Sequence, residues 1–216
     1  LTVDWLELAD EIAFRASLAG RPKQAIRLYE MAWELDPGNA RRASALAYQY
    51  YVQALGRRNA RRDKARSPKS NRNERPPETP ERDDLADLRD GFRQWIETAL
   101  ELHPESVKDL YRLGLFEAQV EARKDKVALR IFLKALKIHD NLPHELAERG
   151  DIRKYRLKTM YAAARSALRI GELKWARFLS FRLVREDEKG ESIERVFQLS
   201  LAAKVCLATR EHDAAE

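Results

Sequence analysis

A lone cysteine, Cys206, leaves this 216-residue chain without an internal disulfide, so oxidation contributes nothing to its fold. Glycine and proline are scarce too, eight of each, which excludes a turn-rich β architecture and favours long elements joined by short turns. No apolar run approaches the ~18 residues that a bilayer span needs, and no signal peptide is read at the N-terminus. Soluble character, cytoplasmic rather than periplasmic, is the resulting expectation. Leu1 is not an initiator methionine, so the chain reads as a piece of a longer protein whose targeting signal or anchor could lie elsewhere.

Catalytic signatures are missing as well. There is no G-x-x-x-x-G-K, G-x-G-x-x-G, H-E-x-x-H or G-x-S-x-G. The four histidines, His103, His139, His144 and His212, do not pair at i, i+4 with a third ligand and read as surface or helix-end residues, so no metal site is expected. Cys206 lies among Ala203, Val205 and Leu207 and reads as a buried small thiol. Acidic pairs such as Glu97 and Glu101 run along helix faces, as solvated helices do. The expectation is no enzyme and no cofactor.

What is present is charge and helical rhythm. Hydrophobic residues make up 44% of the chain, enough for a core, and charged residues 35%. The net +6 is confined to one place. Residues 57–82 hold ten basic and four acidic side chains, so the remainder carries both signs equally. That segment, with four prolines and almost no large apolar residue, reads as a flexible basic insertion whose first residues, to about Ala65, extend the preceding helix. A solvated linker, a docking tail for an acidic protein and a nucleic-acid contact are the three readings it allows. Its basic residues Arg57, Arg58, Arg61, Arg62, Lys64 and Arg66 would carry either contact.

Elsewhere apolar residues recur at helical spacing. Helices are predicted from Trp5 to about Ala16, Pro22 to Leu35, Ala40 to about Leu55 and Asp83 to Leu102. Others follow from Ser106 to Ala122, Lys126 to Ile138, Ile152 to Ile170, Glu172 to Arg185 and Ile193 to Thr209. Asn141-Leu142-Pro143 reads as a loop. No segment alternates with period two over a useful length, so no sheet is expected.

Within that rhythm, small residues fall at fixed places. In "AGRPKQAIRLYEMAWELDPGN" Ala25, Tyr29 and Ala32 follow Gly20 and precede Pro37, with Ala13 on the helix before. "LYRLG" ends on Gly114, and "VALRIFLKAL" carries Ala128, Phe132 and Ala135. "MYAAARSALRIGELKWARFLSF" carries Ala164, Gly171 and Ala176; Ala47, Tyr50, Phe92, Ile96, Ala99 and Pro104 make an interrupted copy. This pattern resembles the tetratricopeptide repeat, in which small side chains let paired helices approach closely. The resemblance implies an all-α fold, a right-handed α-solenoid of antiparallel helix pairs. Its repeats would be about 4–37, 40–104 with the interruption, 107–140, 152–187 and a partial copy at 191–216. The last stretch, "AAKVCLATREHDAAE", reads as a first helix and the cut-off opening of a second, so the array is expected to continue beyond Glu216.

The resemblance also implies a concave groove lined by the first helix of each pair. Carried onto this sequence, that wall holds Glu7, Asp10, Phe14 and Ser17, then Arg41, Ser44, Tyr48 and Tyr51. It continues with Lys108, Tyr111, Leu115 and Gln119, then Lys158, Tyr161, Arg165 and Arg169. Rings stand beside cations, and only the first copy adds acid, which suits an acidic or carboxylate-bearing segment of another protein. Lys108 and Arg112 fit two basic spots of the chaperone-tail clamp known in this family, but every asparagine reads as a loop residue, so the clamp's amides are lacking. The expected function is a non-catalytic protein-interaction scaffold. The alternatives are a nucleic-acid-associated protein using 57–82, or an assembly scaffold of a bacterial secretion or exopolysaccharide export apparatus.

Overall fold

Short turns dictate how the helices meet. A computed structural model describes residues 5–66, 84–121, 124–187 and 193–213. They form α1 (Trp5–Leu18), α2 (Pro22–Leu35), α3 (Ala40–Arg66), α4 (Asp84–Leu102) and α5 (Val107–Gln119). Then come α6 (Asp125–Asp140), α7 (His144–Ala147), α8 (Gly150–Arg169), α9 (Leu173–Glu186) and α10 (Ile193–Asp213). Among the described residues there is no strand, and no helix is long and apolar enough to cross a membrane.

The chain divides into two compact units, residues 1–104 and 105–216. In the first, α1 packs on α2, α2 on α3 and α3 on α4. In the second, α5 packs on α6 and α8, α6 on α8, α8 on α9 and α9 on α10.

One turn recurs in both units. Gly20 (φ 71°) ends α1, with the Arg21 amide donating to the Ala16 carbonyl at 2.9 Å. Gly171 (φ 80°) ends α8, with the Glu172 amide donating to the Ala167 carbonyl at 2.9 Å. A residue without Cβ adopts this left-handed step at no steric cost, so the next helix turns back sharply. Pro22 then starts α2, where its missing amide hydrogen costs nothing.

The small residues are the places where helices touch. Ala13, Ala25, Ala47, Ala99, Ala128, Ala135, Ala164 and Ala176 are fully buried. Gly114 on α5 lies against the ring of Phe132 on α6, so that any Cβ there would collide with it. Gly91 on α4 takes the ring of Tyr50 on α3 in the same way, a notch that the repeat pattern did not reveal. The Tyr50 hydroxyl donates to Glu30 at 3.1 Å; burial first, and then this carboxylate, push its pKa up to about 12.

Several expectations are corrected. The helix from Ala40 does not end near Leu55 but runs to Arg66, in keeping with the expected extension to about Ala65, so Asn59 is helical rather than in a loop. Alanine and arginine favour helix there, and Arg57 meets Asp84 at 3.4 Å. The rest of the basic segment, 67–82, lies outside the described residues. Residues 144–147, to which no element was assigned, form α7, and α8 starts at Gly150 rather than about Ile152. Residues 210–213 are the end of α10, not the opening of another helix. His139 is buried rather than superficial, and Cys206 is only half-buried.

Candidate partner-binding cleft

In the second unit, α8 presents two opposite faces. Thr159, Met160, Ala163, Ala164 and Ala167 point into the core shared with α6, α9 and α10. Gly150, Lys154, Leu157, Tyr161 and Arg165 recur at spacings of three and four and, with Lys158 next to Leu157, line an open cleft of about 630 Å³. Arg153 joins them, α5 contributes Tyr111, and α10 contributes Phe197 and Gln198. Among the described residues the wall therefore holds four cations and three aromatic rings, and no carboxylate.

Each part is held by neighbours. The half-buried Tyr111 ring packs on Phe132 (centroids 6.3 Å apart) and edge-on to Tyr155 (5.8 Å). The Arg165 guanidinium lies 5.7 Å from the Tyr161 ring centroid, a cation–π contact that leaves its charge exposed. Arg153 Nη2 donates to the Glu186 carbonyl at 3.0 Å, tying the start of α8 to the end of α9. The Gln198 side chain is nearly buried; its Nε2 donates to Asp187 at 2.7 Å, while Oε1 has no hydrogen-bond partner among the described residues. Arg195 donates from Nη1 to the carbonyls of Val184 and Asp187, which anchors α10 on the end of α9.

Away from the cleft lining, an ion network joins α6, α8 and α9. Arg156 meets Asp140 at 3.1 Å and Glu186 at 2.9 Å, and Arg182 meets the same two carboxylates at 2.9 and 2.7 Å. Bonding to Asp140 is the chief reason the Arg182 pKa is raised. His139 sits beside this network with its pKa lowered, first by burial and then by the Arg156 charge. Its Nε2 is buried without a partner among the described residues.

Of the sixteen wall residues expected from sequence, Tyr111, Lys158, Tyr161 and Arg165 line this cleft. Arg169 does not; its guanidinium is held by Asp125 at 2.8 Å. Lys108 is half-buried on α5 outside the lining, and Arg112 beside it is drawn to Asp109 at 3.4 Å. In the first unit Phe14, Arg41 and Tyr48 are exposed. Tyr51 is not a groove residue: it is 7% exposed, its ring 6.2 Å from that of Phe92. Arg153 and Lys154 were missed, although continuing the Lys158–Tyr161–Arg165 period one turn backwards would have found Lys154. Phe197 and Gln198 were missed because no repeat position was assigned to them.

No protein-family model matches the chain, and no curated protein matches it either. A solved structure does: a crystal structure of PilW, described as a widely conserved type IV pilus biogenesis factor. It aligns with a TM-score of 0.57 at 13% identity, covering 97% of this chain and 78% of the PilW chain. At that identity the likeness speaks for the fold. The chain is an all-α, solenoid-like protein.

Proposed function

We propose that this chain is a non-catalytic scaffold built of tetratricopeptide-type helix pairs, and that it grips an acidic segment of a partner protein in the cleft along α8. The carrying observation is the makeup of that cleft: Arg153, Lys154, Lys158 and Arg165 around Tyr111, Tyr161 and Phe197, without a carboxylate among the described lining residues. Cations attract the segment's charge, and rings supply contact area at little entropic cost.

Fluorescence anisotropy with a labelled oligo-glutamate peptide carrying one tyrosine tests this. The wild type should bind, and a Lys158→Ala/Tyr161→Ala/Arg165→Ala variant should lose at least ~10-fold in affinity with unchanged helical circular dichroism. Undiminished binding by that variant rejects the cleft.

A second reading has its own support. A pilus biogenesis factor aligning over 97% of the chain favours service as an assembly scaffold of a bacterial surface or secretion apparatus, the acidic segment then belonging to another component of it. The nucleic-acid reading has less behind it, since Arg57 of the basic segment already faces the Asp84 carboxylate.

A further inference from the structure

The outer face of α9 differs from what a solvated helix presents. Its inner face, Ala176, Leu179, Ser180 and Leu183, is buried. On the opposite side Lys174, Phe178, Phe181 and Arg185 follow at spacings of four, three and four, with Trp175 and Arg177 at the flanks. The three rings are 43%, 54% and 48% exposed for Trp175, Phe178 and Phe181. Trp175 and Phe178 meet edge to face at 6.1 Å, and with Lys174 they border a shallow open dent of about 240 Å³. From Leu173 to Arg185 the helix has no acidic residue, and among the described residues Lys174, Arg177 and Arg185 form no salt bridge. By contrast, the outer face of α6 exposes Lys126, Arg130, Lys134 and Lys137 with no ring among them.

We propose that this stripe docks the protein onto an anionic phospholipid surface. Rings flanked by cations match a bilayer interface, where apolar groups enter the acyl boundary and lysine and arginine stay at the headgroups. Because α9 is already folded against α8 and α10, no ordering cost accompanies docking, unlike a free amphipathic segment. A second copy is the wrong occupant: two-fold pairing would set Lys174, Arg177 and Arg185 against their own counterparts. A single nucleic-acid strand wants a groove that tracks its backbone, whereas these rings project from a convex helix face. The surface is separate from the α8 cleft and shares no lining residue with it.

Vesicle flotation of the full chain tests the assignment. Binding is expected to vesicles of phosphatidylglycerol mixed with phosphatidylcholine, not to phosphatidylcholine alone, and to weaken as salt is raised. Phe178→Ser/Phe181→Ser should lower the bound fraction about tenfold with circular dichroism unchanged, and Lys174→Gln/Arg177→Gln should remove the preference for the anionic lipid. Tyr161→Ala, in the cleft, should float like the wild type, so failure here is distinct from failure of the peptide reading. Equal recovery from both vesicle types, or full recovery of the phenylalanine variant, overturns the proposal. So does capture of single-stranded RNA that the α9 variants lose while no vesicle is bound.

Discussion

Arginine serves opposite ends in the two units. In the first, Arg42 is 5% exposed and lies between two carboxylates. Its Nε donates to Asp10 at 3.0 and 3.1 Å and its Nη1 to Asp36 at 2.6 Å, which joins α1, the end of α2 and the start of α3. The bond to Asp10 is the chief reason its pKa is raised. In the second unit, Arg165 is exposed, leans on a tyrosine and faces an open cleft. The residue type is the same, but nearby carboxylates decide whether the charge is structural or is left for another molecule.

Arg42→Ala breaks this contrast most severely. It leaves Asp10 and Asp36 without their shared cation, and because both carboxylates are partly exposed it should cost about 2 kcal/mol in denaturant unfolding. Arg165→Ala should change stability by no more than about 0.5 kcal/mol, because solvent already screens that charge. Comparable losses from the two would erase the distinction.

The glycine notches sharpen it. Gly114→Ala forces a methyl group into the fully buried Phe132 ring and should cost about 2 kcal/mol. Gly91→Ala should cost a similar amount through Tyr50, since both units use the same device. Gly56→Ala, where nothing lies within 4 Å, should instead stabilise α3 by up to about 1 kcal/mol. Melting temperatures of the three variants rank them.

The smallest effect concerns His139, a group of the second unit alone. Burial and Arg156 lower its pKa in the fold, against weaker opposing influences from Asp140, the Ala147 carbonyl and Glu186. As pH falls below the ordinary histidine value of about 6.5, the unfolded chain takes up a proton that the folded chain refuses. Stability should therefore decline on acidification from neutral pH, and His139→Gln should flatten the part of that slope which histidine causes. Melting curves across this range decide it; an unchanged slope removes His139 as the cause.

Helix content and the paired small residues were legible because 3.6-residue periodicity and alanine spacing are local properties. Gly114 could be foreseen as a notch within "LYRLG", while Gly91 could not, its partner Tyr50 lying 41 residues away across the basic segment. Tyr51 was misplaced because a one-residue difference in helix phase turns a groove position into a core position. The cleft was half legible: residues on α8 share one period, whereas Phe197 and Gln198 reach it only through packing of α10 on α9 and α8. The outer residues of α9 occupy no repeat position, so the repeat pattern carries no sign of the stripe.

Glycine and alanine at the crossings set a spacing between backbones, and that spacing specifies little about the residues outside it. Chains obeying such a rule can differ over nearly their entire exterior while the path of the backbone persists, as in the alignment at 13% identity over 97% of this chain. Likeness of fold in an architecture of this kind is better seen by superposing backbones than by matching letters.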